Sequence, residues 1–163
     1  GRRPGSKDPI FPRPQALLSE AEMVLGLDGT KMSKSKGNTI ELRMTADETA
    51  KLIKKAKTDA DRHITFDPVN RPEVSNLLTL AGLCQNRDPR VIAEEIGDGG
   101  GGTLKKVLTE SLNEHLAPIR TRRAALESDP VYIQSVLHAG IERATAQAEE
   151  TLNEVRTAMN MVY

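Results

Sequence analysis

Three lysines, Lys31, Lys34 and Lys36, lie within one short segment that also holds two serines and a glycine. No apolar periodicity runs through this segment, so it predicts a polar, basic loop. Small residues let a backbone approach a polyanion closely, while lysines supply mobile positive charge and hydroxyls and amides supply hydrogen-bond donors. Such a loop could hold a triphosphate and stabilise the charge that develops in a transition state. The competing interpretation is a solvated, lysine-rich turn with no ligand.

No other group of residues points to catalysis as strongly. His63 and His115 have no partners at the spacing of metal ligands, so we interpret them as surface or packing residues and predict no metal site. Cys84 lies beside an apolar stripe, which favours a small core residue over a nucleophile. The glycine-rich residues 97–103 lack the lysine that follows the last glycine of a phosphate-binding loop. We therefore predict a linker or a helix breaker there.

The composition is that of a globular chain that can bury a core. Of its 163 residues 37% are hydrophobic and 28% are charged. Lys plus Arg and Asp plus Glu both number 23, so the net charge is zero. This balance removes the overall basic field that is usual for small nucleic-acid binders, but it does not exclude a local basic patch. With two Phe, two Tyr and no Trp, the sequence argues against an aromatic platform for stacked bases.

The sequence predicts a cytoplasmic protein that does not contact a membrane. The single cysteine excludes an internal disulfide framework and fits a reducing compartment. No run reaches the roughly 18 apolar residues of a membrane span, and no apolar stretch follows the N-terminal residues. The chain has no initiator Met and starts in a proline-rich segment, which we interpret as a piece that begins within a longer protein. A processed or tagged small domain is the alternative.

The elements around the loop are predicted from apolar spacing and turn residues. Residues 1–22 read as loop, and the apolar run at residues 23–27 suits a buried strand. Thr45 and Glu48 have the spacing of a capping box ahead of a helix that reaches about Lys57. Asn70 and Glu73 repeat that spacing at the start of a second helix. The apolar stripe of this second helix comprises Val74, Leu77, Leu78, Ala81 and Leu83.

Three further helical segments complete the chain. A third helix opens at residues 88–89 and stops at Gly97, and residues 98–102 form a flexible break. The next helix has one apolar face and should be kinked or broken by Pro118. The last helix opens at residues 129–130 and is interrupted at Gly140. This pattern predicts a mainly α fold, with a helical bundle over residues 45–163.

The loop carries a family resemblance. The string KMSKS at residues 31–35 is the signature of class I aminoacyl-tRNA synthetases, and the KGN that follows resembles the same family. The flanks agree, because an apolar run precedes the loop and helices follow it. Beyond the loop the chain most resembles the bacterial tryptophanyl-tRNA synthetases, in its proline-rich approach, the VSNLL at residues 74–78 and the LKK at residues 104–106. The loop alone also fits synthetases for methionine or cysteine, against which the short helical tail argues.

This resemblance implies a division of the chain. Residues 1–44 would be the end of a Rossmann-type catalytic domain, with its last strand and the signature loop, and residues 45–163 would be a helical tRNA-binding domain. The family's upstream His-x-Gly-His element is absent from this chain. The chain would therefore hold part of an active site and be inactive alone. The tryptophan pocket would lie mostly in the other half of a protein that is a homodimer when full length.

The resemblance also assigns roles to residues of the loop. ATP would be a substrate and would bring Mg²⁺ with it. Lys31 and Lys34 would be catalytic and contact the ATP phosphates, and Ser33 and Ser35 would add hydroxyl or backbone donors. By the same resemblance, the adenine would lie near the backbone of Met32 and near the strand just before the loop, at about Met23. The ATP-binding residues would be Met23, Lys31, Met32, Ser33, Lys34 and Ser35.

The implied reaction needs no covalent enzyme intermediate. The tryptophan carboxylate would attack the α-phosphate of ATP, and the resulting adenylate would acylate a ribose hydroxyl of the tRNA for tryptophan. The helical domain would bind the anticodon arm, with Arg120, Arg122 and Arg123 as phosphate contacts. A solvated helix end is the other interpretation of this arginine cluster. A free-standing RNA-binding or regulatory paralogue that kept the loop without catalysis is the non-enzymatic alternative.

Overall fold

Helices account for most of the chain in the computed structural model, which describes residues 8–18 and 23–161. The mainly helical prediction is confirmed. The predicted loop over residues 1–22 can be compared only at residues 8–18, which hold neither helix nor strand; residues 1–7 and 19–22 lie outside the described part. The α-helices of the described residues are α1 (Ala46–Lys54), α2 (Pro72–Gln85), α3 (Pro89–Ile96), α4 (Gly100–Glu127) and α5 (Pro130–Ala158).

Helix α1 begins where the sequence predicts and ends earlier. Thr45 Oγ1 accepts a hydrogen bond from the Glu48 amide at 3.2 Å, and the Glu48 carboxylate accepts one from the Thr45 amide at 2.8 Å. This is the predicted capping box. The helix stops at Lys54 instead of Lys57, because the Lys57 amide donates to the carbonyl of Leu27 at 2.8 Å and is not available to continue it.

Helix α2 is not capped by Asn70 as predicted. Its N-cap is Arg71, which makes no side-chain capping bond. The Asn70 side chain instead donates to Asp67 Oδ2 at 2.7 Å, and Asp67 Oδ1 accepts from the Asn70 amide at 3.0 Å. The capping prediction fails because a turn organised by Asp67 competes for the same side chain.

Helices α1 to α4 contribute to one apolar core. The predicted stripe of α2 is buried except at Leu83, which is 56% exposed and on which the prediction is wrong. Leu27 and Ile40, from the segment that flanks the lysine loop, pack against this core. The loop is therefore attached to the helical unit. The buried cluster comprises Ile53, Ala56, Ile64, Val74, Leu77, Leu78, Ala81, Ile92, Ala93, Leu104 and Leu108.

None of the three breaks predicted in the second half of the chain occurs as predicted. The flexible break predicted at residues 98–102 is ordered, because Gly97–Gly99 forms a 3-10 turn and α4 begins at Gly100. Gly100 has a φ of 74°, a left-handed value that glycine adopts without strain. Helix α4 continues through Pro118 and α5 through Gly140. A proline costs about 3 kcal/mol and a glycine about 1 kcal/mol inside a helix. Pro118 and Gly140 lie inside helices of 28 and 29 residues, which continue despite these costs.

The chain divides into two compact units. Among the described residues, Leu18 and residues 23–124 belong to one unit, and the second combines residues 8–17 with residues 125–161. Helix α5, in the second unit, has no buried residue and exposes apolar side chains that include Val131 and Leu137. A boundary between catalytic and tRNA-binding domains after residue 44 stays a prediction. In the described part of the chain, no helix has the length and apolar character needed to cross a membrane.

Candidate nucleotide-binding loop

The lysine loop begins as a narrow hairpin. Leu25 and Lys31 form an isolated antiparallel bridge, and the Gly26 amide donates to the Thr30 carbonyl at 2.8 Å. The predicted strand over residues 23–27 is not present, because these residues contribute only the single bridge at Leu25. The chain reverses direction immediately after it, at Gly29 with a φ of 79°, which leaves no room for a longer ladder.

A buried asparagine of α2 holds this hairpin. Asn76 Oδ1 accepts from the Leu25 amide at 2.9 Å, and Asn76 Nδ2 donates to the Leu25 carbonyl at 3.1 Å. Both backbone groups of Leu25 are thereby satisfied by one side chain. This pair of bonds links the approach to the loop with the helical core.

A second asparagine closes the loop itself. Asn38 is buried and its Nδ2 donates to Asp28 Oδ1 at 2.9 Å and to the Lys31 carbonyl at 3.2 Å. Its Oδ1 accepts from the Ser33 amide at 2.9 Å, and Thr30 Oγ1 lies 3.3 Å from Nδ2. We call these five residues the Asn38 cluster. It joins the start, the middle and the end of the loop through one amide group.

The charge and the space around Asn38 fit this arrangement. Hydrogen bonds from the Thr30 amide and the Asn38 side chain hold the pKa of Asp28 below its usual value, so Asp28 remains an ionised acceptor. A Cβ atom at Gly26 would lie only 2.3 Å from Asn38 Nδ2. Glycine is therefore required at position 26 because the asparagine side chain occupies the space beside it.

The loop leaves two of its three lysines without partners. Lys36 Nζ donates to Thr30 Oγ1 at 3.2 Å, which ties it to the Asn38 cluster. Lys31 and Lys34 are exposed, and among the described residues no carboxylate forms an ion pair with either. Lys34 stands at the first position of a 3-10 turn, Lys34–Lys36, which ends at Gly37 with a left-handed φ of 64°. These two ammonium groups are available to an anionic ligand.

The other predicted ATP-binding residues occupy different environments. Ser33 and Ser35 hydrogen-bond to each other through their hydroxyls at 2.8 Å. Met32 is 39% exposed and lines an apolar cavity of about 120 Å³ with Leu25 and Ile40. Met23 is 71% exposed and precedes the bridge at Leu25. Residues 31–35 thus form one continuous surface segment.

The predicted arginine cluster is divided by its contacts. Arg120 is partly buried and donates to the Met44 carbonyl at 2.8 Å, to Asn113 Oδ1 at 2.9 Å and to Thr49 Oγ1 at 3.0 Å. Arg122 and Arg123 are exposed on α4. Arg120 therefore links α4 to α1, and Arg122 has the solvent exposure that a phosphate contact needs.

The remaining candidates behave as packing or surface residues. Cys84 is half-buried, and burial raises the pKa of its thiol, which opposes the thiolate that a nucleophile needs. His63 Nδ1 lies 2.7 Å from Asp98 Oδ1 at the surface. The described residues contain no cluster of three His, Cys, Asp or Glu side chains that could hold a metal ion.

Sequence reasoning missed the residues that hold the loop. In the sequence pattern Asn38 is only the residue after Gly37, Asp28 is only part of a turn with Gly29 and Thr30, and Asn76 has no role of its own. The signal available for Asn38 and Asp28 is weak, since polar residues around glycines are typical of any turn. Asn76 could have been suspected as a polar residue inside an apolar helical stripe.

The comparison with known families identifies the class of protein. Residues 2–117 match the family described as tRNA synthetases class I (W and Y). The chain therefore belongs to this family of class I aminoacyl-tRNA synthetases. Its curated relatives bear the name tryptophan–tRNA ligase. The protein from Thermosynechococcus vestitus is 37% identical over 159 residues, which cover 94% of this chain and 48% of that protein.

Other relatives agree in name and in coverage. The tryptophan–tRNA ligase of Aquifex aeolicus is 36% identical over 156 residues, 93% of this chain and 39% of that protein. The tryptophanyl-tRNA synthetase of Campylobacter jejuni complexed with ADP and tryptophan has a TM-score of 0.67 and 27% identity, over 93% of this chain and 48% of that one. The enzyme from Mycoplasma pneumoniae has a TM-score of 0.69 at 23% identity, over 88% of this chain and 45% of that one, which supports the fold alone. The chain spans about half the length of the curated relatives that it matches first.

Proposed function

We propose that this chain is the part of a tryptophan–tRNA ligase that carries the ATP-binding signature loop and the helical tRNA-binding domain. The observation that carries the proposal is the state of Lys31 and Lys34, which are exposed and form no ion pair with a carboxylate of the described residues, on a loop whose backbone is fixed by Asn38. The names of the relatives supply the amino acid.

In the proposed reaction the loop stabilises charge. A carboxylate oxygen of tryptophan attacks the α-phosphorus of Mg²⁺-bound ATP, the bond to the bridging oxygen of the β-phosphate breaks, and pyrophosphate leaves with the negative charge. Ammonium groups that contact pyrophosphate more closely in the transition state than in bound ATP lower the barrier. Lys31 and Lys34 take this role, and Ser33 and Ser35 donate hydrogen bonds to the same phosphates. The backbones of Met32 and Met23 lie beside the adenine.

The rest of the active site lies in the other half of the protein under this proposal. That half supplies the His-x-Gly-His element and most of the tryptophan pocket. The full-length enzyme is a cytoplasmic homodimer. The adenylate acylates the tRNA for tryptophan, whose anticodon arm contacts the helical domain. Of the cluster Arg120, Arg122 and Arg123, the exposed Arg122 is the phosphate contact that we test below.

The proposal is tested with two versions of the protein. The full-length protein should exchange pyrophosphate into ATP in a tryptophan-dependent way and should charge tRNA. Residues 1–163 alone should be helical by circular dichroism and at background in the exchange. Exchange that depends on methionine or cysteine would change the amino acid. A full-length protein that binds tRNA without exchange with any of the three amino acids would favour the non-catalytic paralogue.

A further inference from the structure

The Asn38 cluster fixes the backbone on both sides of Met32. Asn38 accepts from the Ser33 amide at 2.9 Å and donates to the Lys31 carbonyl at 3.2 Å. These two backbone groups belong to the peptides that flank Met32, so a single planar amide determines how the chain passes from Lys31 towards Lys34. A backbone held at two points on either side of one residue has little freedom to rotate between them.

The chemistry of the cluster requires an amide at position 38. The Nδ2 group must donate both to the Asp28 carboxylate, 2.9 Å away, and to a carbonyl, while Oδ1 must accept from an amide. A carboxylate of the same shape can only accept. A carboxylate at position 38 would also bring its negative charge next to that of Asp28, at the distance that now separates Asn38 Nδ2 from Asp28 Oδ1.

We infer that Asn38 is a positioning residue. Its side-chain amide fixes the backbone of the loop and thereby the direction in which the side chains of Lys31 and Lys34 extend from it. This inference rests on the proposed function, because positioning matters only if the two lysines act on ATP. Asn38 does not touch the substrate in this account. It acts through the Lys31 and Ser33 backbone, and Asp28 orients it.

Asn38→Asp is the variant that tests the inference in the full-length protein. It keeps the shape of the side chain, removes the three hydrogen bonds that Nδ2 donates and sets two carboxylates against each other. We expect the rate constant of tryptophan-dependent pyrophosphate exchange to fall roughly ten- to hundredfold, as for other small misplacements of catalytic groups. The KM for tryptophan should change little, because the tryptophan pocket is proposed to lie elsewhere.

The reciprocal double variant Asp28→Asn with Asn38→Asp restores an amide–carboxylate pair in the opposite order. The amide at position 28 can donate to the carboxylate at position 38, which can still accept from the Ser33 amide. The Lys31 carbonyl remains without its donor, so the rescue should be partial. We expect the double variant to recover about tenfold of the lost rate in the case of a hundredfold loss.

A second measurement does not depend on catalysis. Trypsin cleaves after lysine, so limited proteolysis of the full-length protein, followed by mass spectrometry, reports how firmly the bonds after Lys31 and Lys34 are held. Cleavage at these sites should be several-fold faster in Asn38→Asp than in the wild type. It should slow again in the double variant.

Asn70→Asp is the matched control. Asn70 also donates from Nδ2 to a carboxylate, that of Asp67 at 2.7 Å, but in the turn before α2. This control should lower stability without changing the exchange rate or the cleavage after Lys31 and Lys34. Equal effects of Asn70→Asp and Asn38→Asp on exchange would reduce the role of Asn38 to general stability and overturn the inference.

The outcomes separate the inference from the proposed function. Unchanged trypsin cleavage in Asn38→Asp would show that the cluster does not hold the loop and would overturn the inference alone. Faster cleavage with an unchanged exchange rate would also overturn it, because the loop would then work without being positioned. A wild-type full-length protein that lacks exchange would instead refute the proposed function.

Discussion

Two regions of the same unit are held together by different interactions. The core of α1 to α4 consists of interlocked apolar side chains, such as Leu78 and Leu108, that have no exposed surface. The loop from residue 25 to residue 38 is held by the amides of Asn38 and Asn76, in addition to the packing of Leu27 against the core. Burial of one leucine contributes about 2 kcal/mol, whereas a single hydrogen bond contributes about 1 kcal/mol net.

This difference matches what each region must do. A core tolerates apolar residues of similar size, because burial has no direction. A loop that presents charged groups to a ligand needs direction, which hydrogen bonds supply through their geometry. Hydrogen bonds therefore hold the loop in one conformation, while little free energy is needed to displace it. The following predictions test how sharply the two regions differ, from the largest effect to the smallest.

A cavity in the core should cost the most stability. Leu78→Ala removes a side chain that is completely buried in α2 and should lower the free energy of unfolding by about 2–5 kcal/mol, measured by urea denaturation. Leu83→Ala on the same helix removes a leucine that is 56% exposed and should cost no more than about 0.5 kcal/mol. Similar losses for the two variants would contradict the description of the core.

A change in the loop should affect the rate instead of the stability. Lys34→Ala in the full-length protein should slow adenylate formation roughly a hundredfold while weakening ATP binding only a few-fold, because the charge on pyrophosphate develops mainly in the transition state. Single-turnover kinetics and ATP titration separate the two quantities. Lys36→Ala is the control in the same loop, and should have a small effect since Lys36 is bonded to Thr30. Equal losses of affinity and rate in Lys34→Ala would mean that this lysine stabilises bound ATP and the transition state equally.

Arg120 and Arg122 should separate stability from tRNA binding. Arg120→Ala removes the hydrogen bonds to Met44, Thr49 and Asn113 and should lower the free energy of unfolding by about 1–3 kcal/mol. Arg122→Ala should leave unfolding unchanged and reduce the slope of log affinity for tRNA against log salt by roughly 0.7–0.9. An unchanged slope would leave Arg122 as a solvated residue of α4.

The smallest expected effect is the pH dependence of an ion pair at the edge of the core. Arg71 donates to both oxygens of Asp59 at 2.7 Å and holds the pKa of Asp59 below its usual value. A lowered folded pKa adds stability above the unfolded value of about 3.9, and this stability is lost as the pH falls through the folded pKa. Asp59→Asn should therefore destabilise at pH 7, by no more than about 1 kcal/mol for so exposed a carboxylate. The difference from the wild type should shrink in acid.

Urea denaturation at several pH values measures this effect. Asp47→Asn, in the first turn of α1, is the control for the loss of a carboxylate outside the Asp59–Arg71 pair. A difference between Asp59→Asn and the wild type that does not shrink at all as the pH falls below about 3.9 would mean that the pair does not depend on the ionised carboxylate.

Local signals in the sequence predicted most of the helical fold. The capping box of Thr45 and Glu48 and the start of α3 at Asp88 depend on residues within one turn, and both are confirmed. The errors lie where a local signal competes with tertiary packing. Gly140 is a helix breaker by propensity, yet α5 continues through it, and Asn70 has the spacing of a cap but bonds to Asp67.

The position of the candidate site along the sequence could be predicted, but the contacts that hold its loop could not. The lysine loop follows from its residue types and from the family signature, and ATP binding by Lys31 and Lys34 stays a prediction. The contacts that hold the loop are tertiary. Asn76 lies 51 residues from Leu25, and Arg120 bonds to Met44 across 76 residues. No periodicity or spacing within a window of the sequence reports such pairs.

The hydrogen bonds between Asn76 and Leu25 also bear on aggregation through the edge of the hairpin. The unpaired edge of a short hairpin offers amide and carbonyl groups to a strand of another molecule, which is a common start of aggregation. At Leu25 both groups that face away from Lys31 are already occupied by a side chain of α2. The side chain of Asn76 thus occupies the amide and the carbonyl that a strand of another molecule would need at Leu25.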